Sequence, residues 1–205
     1  MNSKIPEFRE KLQKKLNPGR YEHSLSVAFT CICLAMRYGY PIDQAEVAGM
    51  LHDCAKGYDN DTIIRHCEKK GIEITEDERK APAVLHAKYG AWLAENTYDI
   101  HDQEILDAIA CHTTGKPAMG LLDKILYVAD YIEPRRSKAA NLTAMRKLAF
   151  IDLDEACLEI MESILVYLKS TGCQVDPMTE AACEDMRRVV SEKQKETAGA
   201  AGETD

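Results

Sequence analysis

Residues 48–57 read AGMLHDCAKG, an apolar segment that ends in a histidine followed directly by an aspartate. The small and apolar residues before His52 and Asp53 are typical of a helix that is buried on most sides. A buried histidine and a buried carboxylate cost free energy unless hydrogen-bond partners or a metal ion satisfy them. This pair is therefore the first candidate for a functional site.

Helical signals continue on both sides of this segment. Upstream, Asn17 and Pro18 pair a capping residue with a proline at the first helical position, and Gly39 ends the helix that follows. Apolar residues recur at helical spacing along the chain, and no segment alternates as a strand does. The sequence predicts an all-α fold of nine or ten helices, with a single helical domain over residues 1–195 and a disordered tail over 196–205.

Two helix boundaries bear on the candidate site. The helix that carries His52 is predicted to continue through Lys56 and to stop at Gly57. A later helix is predicted over residues 117–132, halted by Pro134.

Further histidines and an aspartate occupy positions where the helical patterns are apolar. They are His23, His86, His112 and Asp130. One such histidine alone is more often a hydrogen-bonded core or surface residue than a ligand, but a metal centre satisfies the whole ordered set. Imidazole suits iron, zinc and nickel, carboxylate suits manganese and magnesium, and one aspartate can bridge two ions that act on phosphorus. By contrast, we predict His66 as a surface residue, and the second histidine-aspartate pair, His101 and Asp102, as a helix start.

The order of these residues resembles one family of hydrolases. The pattern H…HD…H…H…D occurs with RYEHSLSV (20–27), LHAKYGA (85–91), IACHTTGKPAMGLLDKILYVADYIEPRR (109–136) and TGCQVDPMTEAA (171–182). Together these motifs resemble the YqeK family of HD-domain phosphohydrolases, which cut diadenosine tetraphosphate symmetrically to two ADP. The resemblance spans about Arg20 to about Met186. HTTG combined with ADYIEPRR is far more specific than the HD dipeptide.

The resemblance implies a two-metal centre in the helical core. One ion would be held by His23, His52, Asp53 and Asp130, and the other by Asp53, His86 and His112, with Asp53 as the bridge. The family is associated with iron. Manganese, magnesium, nickel, cobalt and zinc stay open as alternatives, in the divalent or trivalent state.

The resemblance also implies the substrate contacts. Asp53 and Lys56 are the implied catalytic residues, with the lysine facing the developing phosphate charge; alternatively, Lys56 is only a cation at a helix C-terminus. Arg135 would hold a phosphate. Further phosphate contacts by proximity are Arg20, Thr113, Lys116 and Arg136, and the nucleoside would contact Gly172, Gln174, Val175, Asp176 and Pro177. Asp176 stands where the family pattern has a histidine.

Composition limits the class of partner. The formal net charge of −8 and the lack of a basic run disfavour a nucleic-acid polymer and leave a small nucleotide as substrate. No apolar stretch reaches the roughly 18 residues that a membrane span needs, so we expect a cytoplasmic protein with no membrane partner. The eight cysteines form no CxxC pair and suit a reducing compartment. The apolar stripe over 158–168 is core or the face of a homodimer.

Three functions stay open on the sequence alone. The first is symmetrical hydrolysis of diadenosine tetraphosphate and related dinucleoside polyphosphates. The second is another HD phosphohydrolase reaction, that of a nucleotidase or a cyclic-dinucleotide phosphodiesterase. The third is a metal-free helical interaction module whose histidines are relics.

Overall fold

The structure is a computed structural model that describes residues 4–139 and 141–202, with side chains up to residue 198. Within these ranges the regular secondary structure is entirely helical, which confirms the all-α prediction. The helices are α1 (Ile5–Lys15), α2 (Pro18–Tyr38), α3 (Ile42–Leu51), α4 (Asn60–Lys70), α5 (Glu76–Lys80), a 3₁₀ turn (Pro82–Val84), α6 (Leu85–Tyr98), α7 (Gln103–Cys111), α8 (Leu121–Ile132), α9 (Leu142–Leu148), α10 (Leu153–Ser170) and α11 (Pro177–Gly202).

The long helix α2 lies against α3 and α8 and forms the middle of the fold. It begins where predicted, because the Asn17 side chain accepts a hydrogen bond from the Arg20 amide, and it ends at Gly39 in the left-handed conformation. Gly49 allows α3 to approach α2 closely: a Cβ at this position would lie 2.7 Å from the Cα of Ala28. The two backbones therefore pack in direct contact.

The described residues form eleven α-helices, more than the nine or ten predicted, and α1 shows why. Its charged sequence carries a narrow apolar stripe, and Phe8, Leu12 and Leu16 are buried. Phe8 packs edge-on against Tyr98 at the end of α6, with ring centroids 5.6 Å apart. The helix is stabilised by this contact with a distant segment, which no local signal reveals.

Both predicted boundaries beside the candidate site differ in the structure. Helix α3 ends at Leu51, and residues 52–57 continue as turns in which the Lys56 amide donates to the Asp53 carbonyl. Helix α8 begins at Leu121 rather than at residue 117, because the Asp123 carboxylate accepts from the Gly120 amide and starts the helix there. Ala118 has a φ of 55°, which no α-helix accommodates.

The chain remains helical to Gly202, inside the segment predicted to be disordered. Residues 197–202 read TAGAAG, in which the alanines favour a helix and the two glycines oppose it, so local propensity alone does not predict this helical end. Residues 203–205 lie outside the described ranges, and the division into a domain and a tail stays a prediction. No helix within residues 4–139 and 141–202 combines the length and apolar character that crossing a membrane requires.

Candidate metal centre

Five separate segments of the fold deliver polar side chains to one place in the core. They contribute His23 from α2, His52 and Asp53 from the turn after α3, His86 from the first turn of α6, His112 from the end of α7 and Asp130 from the last turns of α8. Since the six residues lie on five segments that are separate in the chain, the tertiary packing brings them together.

The carboxylate of Asp53 stands in the middle of the cluster. Its Oδ2 lies 3.7 Å from His23 Nε2 and 3.4 Å from His52 Nε2. Its Oδ1 lies 3.3 Å from His86 Nε2 and 3.7 Å from His112 Nε2. Each oxygen therefore faces a different pair of histidines.

Asp130 belongs to the half of the cluster that contains His23 and His52. Its Oδ1 lies 3.0 Å from His23 Nε2 and 4.0 Å from His52 Nε2. In the other half, His86 Nε2 and His112 Nε2 are 3.1 Å apart. These separations are within the range over which atoms can share one ion.

The main chain sets the tautomer of three histidines. The Nδ1 atoms of His52, His86 and His112 lie 2.6–2.7 Å from the carbonyl oxygen three residues earlier in the chain. A carbonyl oxygen only accepts, so each Nδ1 carries a proton and donates it. In the neutral ring, Nε2 is then left with a lone pair that points into the cluster.

This arrangement of lone pairs fits a cation. His86 and His112 direct two Nε2 lone pairs at each other, and in the described part of the chain the buried Nε2 atoms of His23 and His52 face carboxylate oxygens at 3.0 and 3.4 Å without a well-aligned hydrogen bond. Electron-rich atoms repel one another at such distances unless a positive charge lies between them. Imidazole nitrogens with carboxylate oxygens are a donor set for transition metals.

The protonation states of Asp53 and His86 also suit metal binding, whereas His52 holds its proton more tightly. Burial opposes charge on Asp53, but His52, His112 and His86 outweigh it and hold the pKa of that carboxyl well below its usual value. Burial lowers the pKa of His86 to about 4. Burial likewise opposes charge on His52, yet Asp53 raises its pKa, so that a metal must compete with a proton there.

Cationic side chains line the same cluster. Arg20 Nη1 lies 2.6 Å from Asp53 Oδ2, with the arginine side chain 37% exposed. Arg136 Nη2 lies 3.2 Å from Asp130 Oδ1, and its Nε donates to the Asp130 carbonyl. Lys56 is half-buried; burial lowers its pKa, and Asp53 and Asp130 act in the opposite direction. The positive charges can therefore neutralise an anion that approaches the cluster.

The predicted phosphate contacts fall into two groups. Thr113 lies in the cluster, with Oγ1 3.2 Å from the Nε2 atoms of both His86 and His112. Lys116 is instead paired with Asp123 at 3.0 Å and with Asp107 at 3.5 Å.

Of the two consecutive arginines, only Arg136 touches the cluster. Arg135 is 57% exposed and lies 3.4 Å from Glu22. The family resemblance implied Arg135 rather than Arg136 as the main phosphate contact. A sequence shows that the two arginines are adjacent, but not which side chain points toward the cluster.

The loop predicted to contact the nucleoside comprises Gly172, Gln174, Val175, Asp176 and Pro177. Gly172 adopts a φ of 68°, Gln174 and Pro177 are exposed, and Val175 packs against the core. Asp176 is buried and caps α11 by accepting from the Met178 amide. Capping gives a structural reason for an aspartate at this position, and the nucleoside contact stays a prediction.

The histidines outside the cluster behave differently from one another. His101 is exposed and lies 2.8 Å from Asp99, and Asp102 caps α7, as the sequence indicates. His66 is partly buried rather than a surface residue, because the rings of Tyr58 and Tyr89 pack against it at 5.4 and 5.2 Å.

Sequence reasoning missed Glu133, whose Oε1 lies 3.3 Å from His23 Nδ1. Glu133 is only 3% exposed. Its place directly after the apolar run of α8 and three residues after Asp130, on the same side of the chain, is the signal that could have identified it.

Comparisons with known proteins agree with this geometry. The HD domain family matches residues 20–135, which contain the whole cluster. The protein "Bis(5'-nucleosyl)-tetraphosphatase, symmetrical" of Bacillus subtilis (strain 168) is 36% identical over 170 residues, which cover 82% of this chain and 89% of that protein. Its namesake in Staphylococcus aureus (strain NCTC 8325 / PS 47) is 34% identical over 170 residues, with 80% and 84% covered.

A solved structure extends the similarity to the fold. The crystal structure of a "predicted HD superfamily hydrolase involved in NAD metabolism" from Clostridium acetobutylicum is 34% identical to this chain and superposes with a TM-score of 0.87. The match covers 89% of this chain and 96% of that one. Nearly the entire described architecture is therefore shared with it.

Proposed function

This chain belongs to the HD-domain family and to the YqeK family within it, and we infer that it is a symmetrical bis(5'-nucleosyl)-tetraphosphatase. It is a metal-dependent hydrolase that cuts diadenosine tetraphosphate to two molecules of ADP. This function has better support than another HD phosphohydrolase reaction, because relatives with this name match over most of their length. In a metal-free interaction module, the facing Nε2 lone pairs of the cluster would repel each other with no cation between them.

The observation that carries the chemistry is the position of Asp53 between two pairs of histidines. We propose that Oδ2 of Asp53 shares one ion with His23, His52 and Asp130, and that Oδ1 shares a second ion with His86 and His112. The distances to the two oxygens support this division. Four imidazoles disfavour magnesium, which prefers oxygen ligands, and are compatible with iron, manganese, cobalt, nickel and zinc; we keep iron first because the YqeK family is associated with it.

When bound, such ions polarise a phosphoryl oxygen and supply a nucleophile at neutral pH. The protein provides the remaining chemistry. Arg20 and Lys56 neutralise the phosphate charge that grows as the central P–O–P bridge breaks, and the bridging oxygen leaves with one ADP. Thr113 Oγ1 can donate a hydrogen bond to a phosphate oxygen beside His86 and His112. Arg136 holds Asp130 by two hydrogen bonds.

The other predicted contacts have weaker support. Lys116 is held by Asp123 and Arg135 by Glu22, outside the cluster, whereas the Arg20 guanidinium already lies against Asp53 within it. We propose Lys56, Arg20 and Thr113 as the principal phosphate contacts, and keep the loop over residues 172–177 as the predicted nucleoside contact.

We also propose that the enzyme works in the cytoplasm on a small nucleotide rather than on a nucleic-acid polymer. All eight cysteines are unpaired, and six of them are buried, as expected in a reducing compartment.

Product analysis tests this function. Protein loaded anaerobically with iron is incubated with diadenosine tetraphosphate, and the nucleotides are separated by anion-exchange chromatography. We expect ADP as the sole nucleotide product, and no turnover after chelation. AMP and ATP in equal amounts would contradict the symmetrical cut. Turnover of a nucleoside monophosphate or a cyclic dinucleotide, but not of diadenosine tetraphosphate, would favour another HD phosphohydrolase.

A further inference from the structure

We propose that Glu133 is a positioning residue, whose carboxylate orients the ring of His23 toward one of the two ions; this rests on the metal centre proposed above. Glu133 Oε1 lies 3.3 Å from His23 Nδ1, and Oε2 accepts from the Arg135 amide at 2.7 Å. A carboxylate that accepts from Nδ1 leaves the Nε2 lone pair of the ring facing Asp53 and Asp130.

The place of His23 in the fold explains why it needs a side-chain acceptor. His52 and His112 follow the last residues of α3 and α7, where main-chain carbonyls are free of helical hydrogen bonds. His23 lies inside the 21-residue helix α2, whose preceding carbonyls are already engaged by the helix. The Arg20 carbonyl, three residues earlier, also accepts from the Ser24 hydroxyl.

A brace holds Glu133 in place. Arg146 of α9 donates from Nε to the Ile132 carbonyl and from Nη2 to the carbonyls of Glu133 and Arg136, each at 2.8 Å. The turn after α8 is thereby fixed at three points around Glu133. A carboxylate buried at such a turn costs free energy unless it serves a partner, and His23 is the side chain that it faces.

The contact has a consequence confined to one half of the centre. His23 faces Oδ2 of Asp53, whereas His86 and His112 face Oδ1. Removing the Glu133 carboxylate should therefore weaken the ion on the Asp130 side and spare the other. Loss of such an outer partner of a metal-bound histidine typically costs about 10–100-fold in metal affinity.

Titration with Co²⁺ tests the proposal without any substrate, because visible absorption reports the coordination geometry of each ion. The variants are Glu133→Ala, Glu133→Gln and the matched control Glu22→Gln, which changes an exposed glutamate next to His23 in sequence. We expect two tight equivalents for the wild type and the control. In Glu133→Ala one equivalent weakens by about 10–100-fold with an altered spectrum. Glu133→Gln shows a smaller loss, since its amide oxygen still accepts from Nδ1.

Three results would overturn the proposal. The first is wild-type affinity and spectrum for both equivalents in Glu133→Ala. The second is equal weakening of both equivalents, which denotes a general structural role. The third is no Co²⁺ binding by the wild type, which also removes the metal centre. Should Glu133→Ala fail to fold, Glu133→Leu, which also lacks an acceptor for Nδ1, takes its place, and wild-type affinity and spectrum for both equivalents in that variant would overturn the proposal equally. Failure of symmetrical cleavage alone, with the affinities as expected, would refute the substrate and leave the role of Glu133 supported.

Discussion

Substituting Gly49 by alanine should separate α2 from α3 and disturb the metal centre from outside it. The added Cβ would lie 2.7 Å from the Cα and 3.0 Å from the amide nitrogen of Ala28. Both are main-chain atoms, so no side-chain rotation relieves the overlap. The Gly49 carbonyl is also the acceptor that orients His52, at 2.7 Å from Nδ1. Any shift of α3 is therefore transmitted to a proposed ligand.

The expected magnitude follows from two opposing effects. Overpacking against a rigid backbone costs about 3 kcal/mol. Alanine stabilises a helix interior relative to glycine by about 1 kcal/mol. The net destabilisation is then about 2 kcal/mol, or about 4–8 °C in the midpoint of thermal unfolding for a chain of this size.

Gly90→Ala provides a matched control inside α6. Its nearest new contacts are ordinary ones, at 3.4 Å from the His52 carbonyl oxygen and 3.5 Å from Ile109 Cγ2. Without overlap, only the helix-propensity gain of about 1 kcal/mol remains. The two variants should differ by about 3 kcal/mol when metal-free protein is unfolded thermally and followed by circular dichroism. Metal loading should widen the gap, because Gly49→Ala also displaces His52. Equal midpoints for the two variants would refute the close-contact argument.

Three further outcomes are expected from the metal centre. Asp53→Ala should lower the bound metal and reduce turnover by about 10³-fold or more, because it removes several kcal/mol of transition-state stabilisation. The control His101→Ala should match the wild type in metal content, measured by elemental analysis, and in activity. Equal losses in the two variants would mean that the cluster is not the site. Chelation should lower the unfolding midpoint by about 5–11 °C for each ion lost, reversed by added metal, if the free metal exceeds the Kd of that site about 100-fold. An unchanged midpoint would show that metal does not stabilise the fold. Arg20→Ala should reduce kcat/KM by about 10–100-fold with the metal content retained, because one charge-assisted hydrogen bond to the phosphate is lost. Arg135→Ala should reduce kcat/KM far less. The reverse ranking would place the phosphate site at the surface.

Local signals predicted several helix ends away from the site but not the two beside it. Asn17, Gly39 and Asp102 cap or end helices as their residue types indicate, because each cap is a contact within a few residues. Helix α1 could not be predicted in the same way. Its stability comes from burial against segments far away in the chain, and its charged residues conceal the stripe.

The candidate site shows the same division between near and distant contacts. Six polar residues at apolar helix positions indicated the cluster, since each would be costly there without a partner. The partners of long flexible side chains could not be predicted. Arg135 pairs with Glu22, which lies 113 residues away, and Lys116 turns to Asp123 rather than to the cluster. Glu133 was missed because its partner His23 lies 110 residues away.

The carbonyl contacts of the histidines bear on the order in which the centre assembles. Three of the four rings take their orientation from an acceptor three residues back, so they are set as soon as the local turns form. The entropy cost of fixing their rotamers is then incurred during folding, so metal binding does not have to offset it. The fourth ring, that of His23, is oriented by Glu133, which lies 110 residues away. Its half of the centre is therefore in place only when α2, α8 and α9 have packed together. The rings of His86 and His112 are therefore oriented by contacts local to α6 and α7, whereas the ring of His23 depends on a contact between α2 and the turn after α8.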